Sequence, residues 1–205
     1  MLLPIDIDTV KGFLAPEEGE ALYQHALEAC TVGPLLEVGS YCGKSTVYFG
    51  QAAKEADRTL YAVDHHRGSE EHQPGEEYHD GSLFDTDVGL MDSFKAFRDT
   101  LRKAGLEQNV VPVVAPSAVA ARDWSTPLGM VFIDGGHSME AAQTDLAAWA
   151  PHVAAGGILA IHDLFPNPEE GGQAPITIWR EAQKSCGFVD IGIVNTLGFL
   201  RRAVG

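Results

Sequence analysis

The chain has 205 residues, of which 45% are hydrophobic and 21% charged, and its formal net charge is −15. This length supports one sizeable core rather than two full domains. The acidic balance opposes the phosphate backbone of nucleic acids and anionic lipid surfaces, and no apolar run is long enough to span a bilayer, so neither is an expected partner.

The N-terminal MLLPIDIDTVKG has two early aspartates and no basic stretch ahead of an apolar core, which does not read as a secretory signal; a cytoplasmic location is expected. The three cysteines, Cys30, Cys42 and Cys186, are odd in number and widely spaced. That disfavours a disulfide framework or a zinc knuckle and leaves buried free thiols.

In chain order, residues 15–30 read as an amphipathic helix with Ala21, Leu22, His25, Ala26 and Ala29 near one face, and residues 1–30 form a helical cap over the sheet or the ligand site. From residue 34 onwards apolar runs alternate with helical stretches. Strands are predicted at 34–38, 59–64, 109–114, 129–134, 156–162, 189–194 and 197–202, and helices at 43–55, 90–104, 116–122, 138–151 and 174–186. This alternation predicts βαβ units around a parallel sheet with helices on both faces. The last two strands are separated only by Asn195 and Thr196, too few residues for a helical crossover, so they close as an antiparallel hairpin. The predicted architecture is a single α/β domain, residues 1–205, with a mostly parallel, Rossmann-like seven-stranded sheet.

Two irregular segments follow the carboxyl ends of predicted strands, where open α/β sheets bind ligands. Residues 65–87 hold four of the eight histidines, His65, His66, His72 and His79, among many carboxylates; residues 165–175 are rich in Gly and Pro. Both are expected to be lid loops.

The stretch LLEVGSYCGKST, residues 35–46, approaches a phosphate-binding loop. Such a loop needs four residues between its first glycine and Gly-Lys-Ser, whereas Gly39 and Gly43 are separated by three, and Val38 occupies the place of the required glycine. What remains is Glu-x-Gly-x-x-x-Gly between the first strand and its helix: Gly39 allows a turn and close approach, Gly43 allows tight helix contact, and Glu37 places a carboxylate beneath the turn. A carboxylate there repels a triphosphate and suits a cationic ligand. Asp64 closes the second strand, where an acid holds ribose hydroxyls or caps a turn. Ser117, past the third strand, lies in reach of an adenine or serves as a helix N-cap.

With EVGSYCG, Asp64, the strand order, the terminal hairpin and the run IDGGHSMEAAQTDLAAWAPHVAAGGILAIHD from about residue 133 to 163, the chain resembles the class I S-adenosylmethionine-dependent methyltransferases, and among them the small metal-dependent O-methyltransferases. The resemblance implies that Glu37, Gly39, Ser40, Gly43 and Ser45 line the methionine and ribose part of a cofactor site. It further implies that Asp64 holds the ribose, with His65 beside it, and that Ser117 lies by the adenine. A homodimer is also in keeping with that family.

Asp134, His137, His162 and Asp163 fall at or just past the ends of adjacent central strands. Asp134 and Asp163 offer hard oxygen ligands suited to Mg²⁺. His162 is either a further ligand or, because strand neighbours face opposite sides, a brace pointing the other way. His137 is the candidate base for a hydroxyl proton, against the alternative of a helix-terminal histidine bonded to backbone. The acceptor expected from the polar 65–87 segment, where only Tyr78 and Phe84 supply rings, is a small hydroxylated molecule, a sugar ahead of a catechol. The competing readings are a triphosphatase, with Asp134 as the metal-binding acid after a hydrophobic strand, and a module that binds S-adenosylmethionine without turnover.

Overall fold

A computed structural model describes residues 2–69 and 80–204. Helix α1 (Pro16–Ala29) precedes strand β1 (Leu35–Val38), and strands and helices then alternate through α2 (Lys44–Glu55), β2 (Leu60–Val63) and a small hairpin, β3 (Phe84–Asp85) with β4 (Leu90–Met91). There follow α3 (Phe94–Ala104), β5 (Val110–Val113), α4 (Ser117–Ala121), β6 (Leu128–Ile133), α5 (Met139–Trp149), β7 (Val153–Ile161), α6 (Ala174–Ser185), β8 (Phe188–Val194) and β9 (Leu197–Arg202).

The main sheet has seven strands in the order β5-β2-β1-β6-β7-β9-β8. Strands β5, β2, β1, β6 and β7 pair in parallel, while β9 runs antiparallel to both β7 and β8. This is the mostly parallel sheet with a terminal hairpin that the alternation predicts. Asn195, at the hairpin turn, takes a left-handed backbone with φ of 50°, a conformation that asparagine tolerates better than most residues.

Strands β1 and β6 are buried along their whole length, which is why both read as continuous apolar runs instead of alternating ones. Alternation still sorts their side chains between two cores. Leu35, Met130 and Phe132 pack with α1, α2 and α3 around Leu22, Phe49 and Phe97. On the other face Leu36, Val131 and Ile133 pack with α5 and α6 around Trp149 and Trp179. Strand order reverses between β1 and β6, so the loops after them diverge and open a crevice at the carboxyl edge.

The helix predicted from residue 90 begins instead at Phe94, because Leu90 and Met91 pair with Phe84 and Asp85 in the small hairpin. Among the described residues no helix is long and apolar enough to cross a membrane. His72, Tyr78 and His79, in the first predicted lid, lie outside the described residues.

Candidate active site

A cleft of about 1010 Å³ opens at the carboxyl ends of β1, β2, β6 and β7. Of the residues singled out from the sequence, Gly39, Ser40, Ser45, Asp64, His65, Ser117, Asp134, His137, His162 and Asp163 line it. Residues from the 165–175 loop also contribute, and Gln173 folds that loop on itself by donating to the carbonyls of Phe165 and Gly171, each at 3.1 Å.

At one end Asp64 organises the turn after β1. Its Oδ2 accepts from the backbone N–H groups of Ser40 at 3.0 Å and Tyr41 at 2.8 Å, and its Oδ1 accepts from His66 N at 2.7 Å. A carboxylate has about four acceptor positions, so the same group retains capacity for a ligand hydroxyl. Gly39 has φ of 89°, and a Cβ placed on it would lie 2.0 Å from the carbonyl oxygen of Asp134. The close approach that this glycine permits is therefore to the end of β6, which carries Asp134.

At the other end five ionisable side chains meet. His162 Nδ1 lies 3.0 Å from Asp134 Oδ1 and 3.5 Å from Asp163 Oδ2, and its Nε2 lies 3.1 Å from Glu18 Oε2 on α1. His137 Nε2 lies 3.0 Å from Asp163 Oδ2. Strand alternation would send His162 and Asp163 to opposite faces, but β7 ends at Ile161 and Asp163 has φ of 58°. The left-handed residue breaks the alternation and brings both side chains to one cluster, so His162 does not point away from Asp163 as strand alternation alone predicts.

Ligand atoms of Asp134, His162 and Asp163 all lie within 4.8 Å of one another. Two carboxylates and an imidazole form a donor set that fits a divalent cation, and the second ring nitrogen of His162 is held by a carboxylate, as is usual for metal-binding histidines. The cluster is short of positive charge. Burial alone would lower the His162 pKa, but Asp134, Glu18 and Asp163 raise it well above the ordinary imidazole range. Burial likewise pushes Asp163 up, and His137 and His162 outweigh it to hold that carboxyl below its usual value.

A family model described as a methyltransferase domain matches residues 36–164, more than half of the chain. The chain belongs to this methyltransferase family. Solved structures share the fold at low identity. Cofactor-bound Rv0187 from MTB is 14% identical with a TM-score of 0.65, over 96% of this chain and 85% of that one. The O-methyltransferase TomG from Streptomyces achromogenes, in complex with SAM, is 14% identical with a TM-score of 0.62, over 94% and 82%. The O-methyltransferase NovP is 18% identical with a TM-score of 0.60, over 92% and 80%.

Two residues expected to line the methyltransferase's cofactor site do not reach the cleft. Position 37 faces the α2 side of the sheet by strand alternation, where Glu37 is fully buried and accepts from Ser45 Oγ at 2.7 Å and Thr46 Oγ1 at 2.5 Å. It braces the N-terminus of α2 from below. Gly43, with φ of 93°, turns its Cα towards α3, where a Cβ would meet Thr100 Cγ2 at 3.2 Å and Phe97 Cδ2 at 3.3 Å. Lys44, which reads from sequence as a solvent-facing helix residue, instead lies along the cleft against Gly12 and donates to its carbonyl at 3.4 Å. Ser117 is not an N-cap, a position held by Pro116; its hydroxyl accepts from Trp149 Nε1 at 2.8 Å.

Burial raises the Glu37 carboxyl from 4.5 to about 7, partly offset by the Thr46 and Ser45 hydroxyls. Between these values the folded chain holds a proton that the unfolded chain releases, so this group's contribution to stability is present below pH 4.5 and is lost as pH rises through 7. Glu37→Gln is expected to remove that slope and to be more stable than the parent at pH 8 by up to about 3 kcal/mol. Urea unfolding at pH 5.5 and pH 8 measures it, and an unchanged slope in the variant would assign the effect to other groups.

Sequence reasoning missed Glu18, Asp145 and the 11–14 segment. Glu18 was legible: it extends the buried stripe of Leu22, Ala26 and Ala29 by one turn, and an acid on such a stripe needs a partner. Asp145, largely buried on α5 in the cleft wall, and Lys11 to Leu14, also lining the cleft, carry no local motif.

Proposed function

We propose that the protein transfers the methyl group of S-adenosylmethionine to a hydroxyl of a small polar acceptor, a sugar ahead of a catechol, with a divalent cation at Asp134, His162 and Asp163 and with His137 as base. The observation that carries this reading is that one cleft joins the Asp64 turn to the cluster of carboxylates and histidines. Asp64, Asp134, Asp145, Asp163, Glu140 and Glu170 outnumber Lys11 and Lys44 along its wall, which favours a cationic sulfonium over a triphosphate.

The turn of Gly39 and Ser40 and the Asp64 carboxylate would hold the methionine and ribose parts of the donor, with His65 beside them and Ser117 near the adenine. A bound cation, Mg²⁺ by the carboxylates or Mn²⁺ given the imidazole, would lower the pKa of an acceptor hydroxyl. His137 takes that proton, and Asp163, bonded to its Nε2, orients the ring and stabilises the imidazolium. The acceptor oxygen then bonds to the methyl carbon as the carbon–sulfur bond breaks, leaving S-adenosylhomocysteine. The cleft also presents the rings of Phe13, Tyr41 and Phe165, which suit a sugar bearing an apolar substituent. The whole-chain resemblance to enzymes that cap the 1-hydroxyl of methylmannose precursors makes a 3-O-methylated mannoside the first acceptor to try.

S-adenosylmethionine and S-adenosylhomocysteine are expected to raise the melting temperature, and ATP is not. Labelled methyl should reach a sugar acceptor with Mg²⁺ or Mn²⁺ present, fall to background with EDTA, and become insensitive to metal in Asp163→Ala. Stabilisation by ATP alone would sink the reading. Donor binding with no transfer to any hydroxylated acceptor would instead leave a binding module.

A further inference from the structure

Glu18 lies far in sequence from the reacting cluster, yet it is 3% exposed and touches it. Three parts of the fold converge on its carboxylate. Oε2 accepts from the backbone N–H of Ala15 at 2.9 Å, which ties it to the first turn of α1. Oε1 accepts from the backbone N–H of Thr196 at 2.9 Å and from the Thr196 hydroxyl at 2.8 Å, which ties it to the turn between β8 and β9. The remaining contact is Oε2 to His162 Nε2 at 3.1 Å. Each carboxylate oxygen accepts from a backbone N–H, which cannot reverse direction, and an ionised carboxylate has no proton to give, so Glu18 meets the imidazole as an acceptor.

We propose that Glu18 is a positioning residue: by accepting from Nε2 it keeps that nitrogen protonated and turns Nδ1 of His162 towards Asp134 and Asp163 as a cation ligand. This rests on the cation reading above. The ring cannot rotate away, because His162 is 5% exposed and its other nitrogen faces the two aspartates. A histidine that binds a metal through one nitrogen commonly donates the other N–H to a carboxylate, and loss of such a partner costs about 10- to 100-fold in metal affinity. Glu18 supplies that carboxylate from α1, outside the strands that carry the ligands.

The alternative is that Glu18 only pins the hairpin turn to α1. Glu18→Gln separates the two. With its amide oxygen accepting both Thr196 bonds, its NH₂ group takes the place of Oε2, gives up the bond from Ala15 N–H, and faces His162, where it requires Nε2 to accept. The side-chain volume and the Thr196 bonds that pin the hairpin turn to α1 are retained, one backbone bond at the start of α1 is lost, and the ring's donor pattern is inverted. In ¹⁵N-histidine spectra of the parent with Mg²⁺, His162 Nε2 is expected to carry the proton and Nδ1 to be unprotonated. In Glu18→Gln the Nε2 proton is expected to be lost, and Mn²⁺ affinity, followed by electron paramagnetic resonance, is expected to fall roughly 10- to 100-fold, with the S-adenosylhomocysteine thermal shift retained.

Equal Mn²⁺ affinity in variant and parent overturns the role of Glu18 and leaves the cation site standing. A parent that binds neither ion overturns the cation reading and this inference together. If Glu18→Gln does not fold, the parent spectrum decides alone: an unprotonated Nε2 in the Mg²⁺ form overturns the proposal.

Discussion

Gly39→Ala is expected to lose at least about 3 kcal/mol of stability, a fall in melting temperature of roughly 6–12 °C for a chain of this size, and to lose its response to S-adenosylmethionine. Two effects combine. At φ of 89° the backbone is in a region that L side chains rarely adopt, and the added methyl would meet the Asp134 carbonyl oxygen at 2.0 Å, its carbon at 2.6 Å and Gly135 Cα at 2.9 Å. All three are backbone atoms held by the sheet: Asp134 N donates to Val38 O at 2.9 Å, and Gly39 N donates to Val63 O at 3.0 Å. None can move without parting β1 from β6 or β2, and the residue displaced first is Asp134. Gly43→Ala is the control. It is similarly left-handed, but its methyl would meet side-chain atoms of Thr100 and Phe97 at 3.2 and 3.3 Å. Those can yield, so a loss nearer 1–2 kcal/mol with donor binding retained is expected. Urea unfolding and thermal shift on the two variants measure the difference. Equal melting of Gly39→Ala and the parent would contradict the close approach of β1 and β6.

His137→Ala is expected to lower kcat by about 10²- to 10⁴-fold, the usual contribution of a positioned general base, while leaving donor binding intact. His137 is half-exposed on the cleft wall, so truncation opens little core, and stability should change by less than about 1 kcal/mol. The ring matters through its bond to Asp163, which orients it and stabilises the cation formed when it takes a proton. In the variant the remaining rate should climb with pH, as hydroxide takes the place of the imidazole, with no plateau from a histidine. Activity against pH with the favoured sugar acceptor, beside Mn²⁺ affinity, checks this. A variant that keeps its turnover is incompatible with His137 as base; one that loses Mn²⁺ binding in proportion to its rate assigns the histidine to the cation instead.

The sheet was legible because its signals are local. Continuous apolar runs mark strands buried on both faces, glycines mark helix ends, and two residues between the last strands leave room only for a turn. Asp134, His162 and Asp163 were legible as a group for a related reason: parallel strands all end at one edge, so residues just past neighbouring strands converge.

Other features depended on contacts between distant segments. Glu37 stands in the glycine turn, but the strand's facing sends its carboxylate beneath α2, to hydroxyls that only the fold brings there. His162 and Asp163 share a face because one residue adopts a left-handed backbone, which no period-two pattern encodes. Glu18 meets His162 across 144 positions of chain, since α1 and the hairpin turn both dock at the end of β7. The sequence by itself determined the order of elements and the edge where the chemistry lies, because these follow from periodicity and chain direction. Only the tertiary structure decided which carboxylate meets which imidazole nitrogen, because that depends on side-chain direction at the ends of elements, where the repeating geometry stops.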